Sequence, residues 1–442
     1  MTQLASDLEA FFSSILMSST EEYDDTVSSI TRVLNRHYYE SDSETEHMHV
    51  VGSVGRGTAV LGTSDLDLLY DLPRSEYSRF DSYEGNGQSA LLQAVKSVLL
   101  ERWPKTDVKG DGQAVVVSFK NRKFTIDLVP AFEQTDGSFK YPDANKGGSW
   151  KKTNPMPEQK ACALDAKTTG GNFLRLCNAL RVWKDEQGFK FGGLLIDTLV
   201  HEFLKKKDDY KPFGLDAGYD MLSDIFGWLS RQDPEQRYWL ALGSNQQVHD
   251  KGKGAFVRRA SKAFADLSAA DTDEERRDVL ESLFGMRFKF VSTLQSKTSL
   301  DERKWARLYD CVTGEEFIED KFAVDIRNSV EIDCIVTQQG FRSMHLRSML
   351  LRRIPLLRMK TLDFYVVDTD VEEPYEVYWK VRNRGKIAFK KHMVRGRITK
   401  DAGRHAQIEH TSFVGPHFVE CYIIKDGKCV ARDKIDVPIR ES

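Results

Sequence analysis

No apolar run in the 442-residue chain escapes interruption by charge for long enough to cross a bilayer, which excludes a helical membrane protein. The first residues, Met1 to Glu9, lack the basic start of a secretion signal and carry Asp7 and Glu9 instead. Cysteine is sparse: six thiols, at 162, 177, 311, 334, 421 and 429, with no CxxC spacing. That scatter reads as reduced, mostly buried thiols in a reducing, cytoplasmic setting, and it offers no metal-cluster pattern. Charge of one sign is also lacking. With 64 Lys and Arg against 67 Asp and Glu, the net charge of -3 gives no strong nucleic-acid signal. No segment is low-complexity. What remains is an ordinary folded composition, 40% hydrophobic and 30% charged, in a chain long enough for two or three domains.

Residues 4 to 38 carry two helical periodicities, the first through Leu8, Phe11, Phe12 and Ile15. A short β-prone run at 47–51 leads straight into Gly52-Ser53. Asp65 to Tyr70 reads as a second strand, Ala90 to Trp103 as a helix stopped by Pro104, and 115–119 with 124–129 as a hairpin around Asn121-Arg122. The polar, glycine- and proline-rich stretch 141–157 reads as a surface loop able to border a site. From 150 to 300 the signals are mostly helical, at 172–186, 194–206, 219–229 and 256–269. After a boundary near 310 to 325, short β-type runs (361–367, 375–382, 393–399, 418–425 and 429–437) suggest a sandwich-like module. The expected architecture is α+β. Residues 1–150 form a catalytic lobe with N-terminal helices, 151–310 a helical lobe completing a cleft, and 320–442 a β-rich domain.

One constellation carries chemistry. Gly52-Ser53-Val54-Gly55-Arg56-Gly57-Thr58 is followed by Asp65-Leu66-Asp67, and Asp127 stands in a second apolar strand. Residues two apart on a strand face the same way, so Asp65 and Asp67 share one face while Leu66 and Leu68 take the other. Thr125 and Asp127 repeat that pattern against Phe124, Ile126 and Leu128. Three gathered carboxylates repel one another unless a cation lies between them. Their oxygen donors suit Mg²⁺, which keeps waters and shares substrate phosphates. Two such ions, with Mn²⁺ as the alternative, can activate an attacking hydroxyl and stabilise departing pyrophosphate. The Gly52-Ser53 turn supplies backbone N–H groups and a hydroxyl for phosphate oxygens, and its glycines permit close approach. Either motif alone is commonly structural; their combination points to nucleotidyl transfer.

These residues resemble the polymerase-β-like nucleotidyltransferases, and more narrowly the bacterial cGAS/DncV-like enzymes. The motifs are GSVGRGTAVLGTSDLDLLYDLP from 52, YEGNGQSALLQAVK from 83, GDGQAVVVSF from 110, FTIDLVPAF from 124 and NKGGSWKKTNP from 145. NFLRLCNALRVWKDEQGFKFGGLLIDTLVHEFL from 172 and RYWLALGSNQQV from 237 continue the likeness. YWKVRNRGKIAFKKHMVRGRI from 378 is similar to the AGS-C domain, proposed as a nucleotide sensor. The resemblance implies cyclic di- or trinucleotide synthesis from NTPs, ATP and/or GTP, in antiphage signalling. It also implies Asp65, Asp67 and Asp127 as metal ligands, with Asp127 helping to deprotonate a ribose hydroxyl, and Gly52 and Ser53 on the donor triphosphate. Relatives contact phosphate through a basic residue on the helix at 172–186, which here is Arg181, with Lys184 one turn on as the alternative. Linear oligonucleotide synthesis or adenylylation by the same fold, and a catalytically silent nucleotide sensor, stay open as rivals.

Asn245, in Gly243-Ser244-Asn245-Gln246-Gln247, is a candidate for reading a base edge, or else part of a capping loop for the helix near Phe256. The basic run from Arg342 to Lys360 reads as a solvated amphipathic helix or a phosphate- or partner-binding surface. Trp379 reads as the core anchor of the last domain, and His405, His410 and His417 as surface residues. That domain is the expected place for a regulatory ligand or partner.

Overall fold

The computed structural model describes residues 2–17, 19–63, 65–119, 124–207, 217–285, 287–288, 316–340, 342–383, 395–412 and 414–440. The chain divides into two units: 1–182 with 192–282 and 286–291, and 183–191 with 283–285 and 292–442.

The first unit opens with α1 (Gln3–Ile15) and α2 (Glu21–Tyr38). The Thr2 hydroxyl caps α1 by accepting from the Ala5 N–H, and Leu8, Phe11, Phe12 and Ile15 form its buried stripe. A seven-stranded sheet follows, from β1 (Met48–Val50), β2 (Asp65–Asp71), β3 (Asp107–Asp111), β4 (Ala114–Ser118), β5 (Thr125–Glu133), β6 (Phe139–Asp143) and β7 (Ser149–Thr153). Its order is β1-β2-β5-β4-β3, with β6 on β5 and β7 on β6. β2 and β5 run parallel, whereas the other pairings in the sheet are antiparallel. A parallel pair needs a long crossover, and α4 (Arg74–Asp81), α5 (Gly87–Arg102) and the β3–β4 hairpin lie in it. Leu91, Val95 and Leu99 of α5 share one core with Leu66, Leu68, Ile126 and Leu128, all fully buried. That core turns the intervening aspartates to the opposite face of the sheet.

The expected loop at 141–157 is instead a hairpin, β6 and β7, running into α6 (Pro155–Thr168). Its polar residues line an edge strand, Trp150 packs on Phe132 and Tyr77, and Pro155 begins the helix rather than breaking the chain. The remaining elements are α7 (Asn172–Gln187), α8 (Gly193–Lys206), α9 (Gly218–Leu229), a hairpin of β8 (Tyr238–Leu240) and β9 (Gln247–His249), α10 (Ala255–Ala269) and α11 (Asp273–Phe284). The mostly helical reading of this stretch matches. Helix α11 in this stretch, and helix α4 and strand β3 before it, all short and charged, have no counterpart among the sequence expectations. The expected turn at Asn121-Arg122 lies outside the described residues.

In the second unit, α12 (Ile318–Lys321), β10 (Ala323–Val324), β11 (Val330–Thr337), β12 (Met344–His345), α13 (Leu346–Leu351), β13 (Leu356–Leu357) and β14 (Thr361–Thr369) come first. β15 (Glu376–Arg382), β16 (Ile398–Lys400), β17 (Ala406–His410), β18 (Gly415–Lys425) and β19 (Lys428–Arg440) complete it. One sheet has the order β10-β19-β18-β15-β16 with β13 beside β19, the other β12-β11-β14-β17. Ile332, Cys334 and Phe364 of the smaller sheet share a core with Trp379, Cys421 and Ile423 of the larger, so the module is a sandwich.

Trp379 is its anchor, 1% exposed, with Nε1 donating to Asp401 at 3.2 Å. Trp379→Ala is therefore expected to lower the stability of this unit by about 3–5 kcal/mol in denaturant unfolding; a loss within experimental error would contradict the assignment. On the other face of β18, Glu420 accepts from the Tyr422 hydroxyl and pairs with Lys380 at 3.3 Å and Arg432 at 3.4 Å. Arg432 also meets Glu186 and Glu319. Burial pushes Glu186 up to about 7, against the pull of Arg432.

Two expectations are corrected here. His417 is buried, because β18 turns it to the same face as Val419 and Cys421. The helix within the basic run is only the six-residue α13: Arg352 ends it, and Arg353 takes φ 56. Arg347 within it is not a free cation, since it pairs with Asp433 and donates to the Ile332 carbonyl at 2.6 Å.

Candidate active site

The parallel register places Asp65 beside Thr125 and Asp67 beside Asp127. Neighbours in register project to the same face, so the structure brings the three carboxylates of the sequence motif onto one side of two adjacent strands. Asp65 is 8% exposed and accepts from the Thr125 hydroxyl at 2.8 Å, which orients it. Among the described residues, no group of three His, Cys, Asp or Glu side chains closes a metal cage by itself.

Directly after β1 the chain enters α3 (Gly52–Gly55), the Gly-Ser turn of the sequence motif. Val51 N–H donates to the Asp67 carbonyl at 2.9 Å, tying the start of this turn to the middle of β2. Gly52 has φ +64, and a Cβ added to it would lie 1.8 Å from the Asp67 carboxylate oxygen. Glycine is thus required twice over, by conformation and by the closeness of Asp67. The first N–H groups of a helical turn have no intrahelical partner, so Gly52, Ser53 and Val54 present donors beside the aspartates.

The turn is folded on itself: Arg56 N–H donates to the Gly52 carbonyl, Gly57 to Val54 and Thr58 to Ser53 at 2.9–3.1 Å. From α6, the Gln159 amide donates to the Val50 carbonyl at 2.8 Å. Gly55 sits so close to that pair that a Cβ would lie 2.4 Å from the carbonyl oxygen.

Arg181, expected at phosphate, is 6% exposed and turned toward α8. Its Nη2 donates to Asp197 Oδ2 (2.9 Å), Thr58 Oγ1 (3.0 Å) and the Gly193 carbonyl (3.1 Å). Its Nη1 approaches Asp197 Oδ1 at 2.7 Å as an ion pair without hydrogen-bond alignment, and donates to the Cys177 carbonyl. Arg56 Nε and the Thr58 hydroxyl also donate to Asp197 Oδ2, at 2.8 and 2.9 Å. Burial opposes ionisation of Asp197, but Arg181 and Arg56 outweigh it and hold the carboxyl below its ordinary range.

Asp197 was missed by the sequence reading, since a single aspartate within a helix has no motif of its own. Lys184, the alternative cation, belongs to the second unit; it pairs with Asp185 and donates to the Ile326 carbonyl at 3.3 Å. Asn245 is exposed at the turn of the β8–β9 hairpin, with φ +55 and its N–H on the Ala241 carbonyl. That turn docks on α6, where Ser244 donates to Glu158 at 2.8 Å and Gln246 accepts from Asn154 N–H at 3.1 Å.

A mixed sheet with paired aspartates on parallel neighbours, under a glycine-serine turn, defines a polymerase-β-like nucleotidyltransferase. Family models place it more narrowly. Residues 1–164 match the Second Messenger Oligonucleotide or Dinucleotide Synthetase domain, and 313–440 match the Adenylyl/Guanylyl and SMODS C-terminal sensor domain. The chain belongs to the nucleotidyltransferases that join these two domains.

Of solved structures, Escherichia coli MS115-1 CdnC in complex with HORMA-deltaN shares the fold over 64% of this chain and 97% of its own, with TM-score 0.51 and 16% identity. The same protein with ATP gives TM-score 0.50 and 15% identity over 64% of this chain and 98% of that one. The "Probable cyclic nucleotide synthase" of Bacillus cereus (strain VD146) is 23% identical over 122 residues, 26% of this chain. The chain matches 37% of that relative's length. No described helix is long and apolar enough to cross a membrane.

Proposed function

We propose that this chain joins NTPs into a cyclic di- or trinucleotide second messenger, releasing pyrophosphate at each step. The observation that carries the reading is the register of Asp67 with Asp127 beside the Gly52 turn. The donor set fits Mg²⁺: hard carboxylate oxygens on one face, next to N–H donors for phosphate. Asp65, Asp67 and Asp127 would hold two such ions, whose chemistry is to neutralise the triphosphate and make the hydroxyl a better nucleophile.

The protein's own groups do the rest. The Gly52-Ser53 turn holds the donor triphosphate, and Thr125 fixes Asp65. Asp127 takes the proton of the acceptor ribose hydroxyl as its oxygen bonds to the α-phosphorus; the bond to the β-phosphate breaks and pyrophosphate leaves. A second transfer of the same kind closes the ring. ATP is the first candidate donor, in keeping with the CdnC structure containing ATP, and GTP the second. The sensor domain is the proposed receiver of a regulatory ligand or partner, and antiphage signalling the proposed setting.

Incubation with mixed NTPs and Mg²⁺ is expected to yield a phosphatase-resistant product whose mass gives base composition and ring size. A product with a free 3′ hydroxyl or 5′ triphosphate would instead establish linear synthesis. Absence of any nucleotide product under every activation tried would favour a silent sensor.

A further inference from the structure

We propose that Asp197 is a positioning residue for the triphosphate-binding turn, acting through Arg56 and Thr58; this rests on the nucleotidyltransferase reading of that turn. Asp197 is fully buried on α8, more than 130 residues further along the chain than the turn it serves. Its Oδ2 gathers three donors, Arg56 Nε, the Thr58 hydroxyl and Arg181 Nη2, all at 2.8–2.9 Å. Thr58, itself fully buried, both donates to Asp197 and accepts from Arg181, so the four side chains form one closed cluster.

The geometry explains what ends the turn. α3 has only four residues, too few to hold its own shape by backbone hydrogen bonds. Its far end is pinned at Arg56 and Thr58 by a buried carboxylate, as its near end is pinned at Val51 by the Asp67 carbonyl. Charge-assisted bonds in a dry site are stiff and directional. The presentation of the Gly52 and Ser53 N–H groups therefore depends on α8 as well as on the sheet. Arg181 is thereby a brace on the carboxylate.

The glutamate and histidine near this cluster have other partners. Glu158 is held by Ser244, and the neighbouring Asp165 by His201 at 2.7 Å. Among the described residues, Asp197 is the carboxylate that pairs with Arg56 and Arg181 at contact distance.

The test uses the full chain and isothermal titration with ATP, GTP, CTP and UTP in the presence of Mg²⁺, with thermal unfolding measured in parallel. Asp197→Asn loses the charge, and Thr58→Val loses one hydroxyl at nearly constant volume, whereas Thr58→Ser keeps it. Both Asp197→Asn and Thr58→Val are expected to weaken binding of the preferred nucleotide about tenfold, the cost of one lost charge-assisted hydrogen bond. Thr58→Ser is expected to restore wild-type affinity. Should Asp197→Asn fail to fold, the Thr58 pair decides. A folded Thr58→Val protein that binds like wild type overturns the proposal. Wild-type protein that binds none of the four nucleotides overturns the underlying reading of the turn instead.

Discussion

Asp67→Ala is expected to abolish nucleotide joining while leaving the protein folded. Asp67 stands beside Asp127 in the parallel β2–β5 register and under Gly52, so its loss empties the centre of the proposed site. Charge stabilisation of several kcal/mol, at roughly 1.4 kcal/mol per decade of rate, sets the expected loss at about 10³-fold or more. Stability should move the other way. In the absence of Mg²⁺, three carboxylates on one face repel one another, and removing one relieves that repulsion. The melting temperature of Asp67→Ala without metal is therefore expected to equal or exceed that of wild type. Rates within tenfold of wild type would sink the assignment of the site.

Gly52→Ala is expected to do nearly as much damage with one added methyl group. Its Cβ would lie 1.8 Å from Asp67 Oδ2 and 2.6 Å from Cγ, at a backbone φ of +64. Either the turn or the carboxylate must move. A shift of about 1 Å among reacting groups can cost on the order of 10²-fold in rate. The conformational part is separable, because Gly137 has φ +76 with open space where a Cβ would go. Gly137→Ala is expected to cost about 1–2 kcal/mol of stability and no activity, since its turn lies between β5 and β6, away from the aspartates. If Gly52→Ala and Gly137→Ala behave alike, the close approach to Asp67 has no functional meaning.

Much of this site was legible because its parts are local. Asp65 and Asp67 declare their shared face by spacing, and Asp127 declares its own by alternation with Ile126 and Leu128. The hairpin at 139–153 was not legible, because an edge strand needs no apolar alternation and its lysines looked like loop. Trp150 alone marked it, through contacts with Phe132 and Tyr77 that lie far away in sequence. Strand β11 was missed although Ile332 and Cys334 are fully buried, since Glu331 and Asp333 break the run. His417 looked like a surface residue for the opposite reason: its polarity hides that β18 buries both faces there.

The sequence by itself determined the chemistry offered: a glycine-serine turn, three carboxylates of alternating pattern and a β-rich final domain. These follow from local periodicity and residue type, which do not depend on what folds against them. Only the tertiary structure decided which strands are neighbours, and so that Asp67 meets Asp127 in register and lies against Gly52. It also decided where the arginine of α7 goes. The family resemblance offered Arg181 to phosphate; the fold sets it against Asp197, because a buried guanidinium beside a buried carboxylate is stable only when the two are paired.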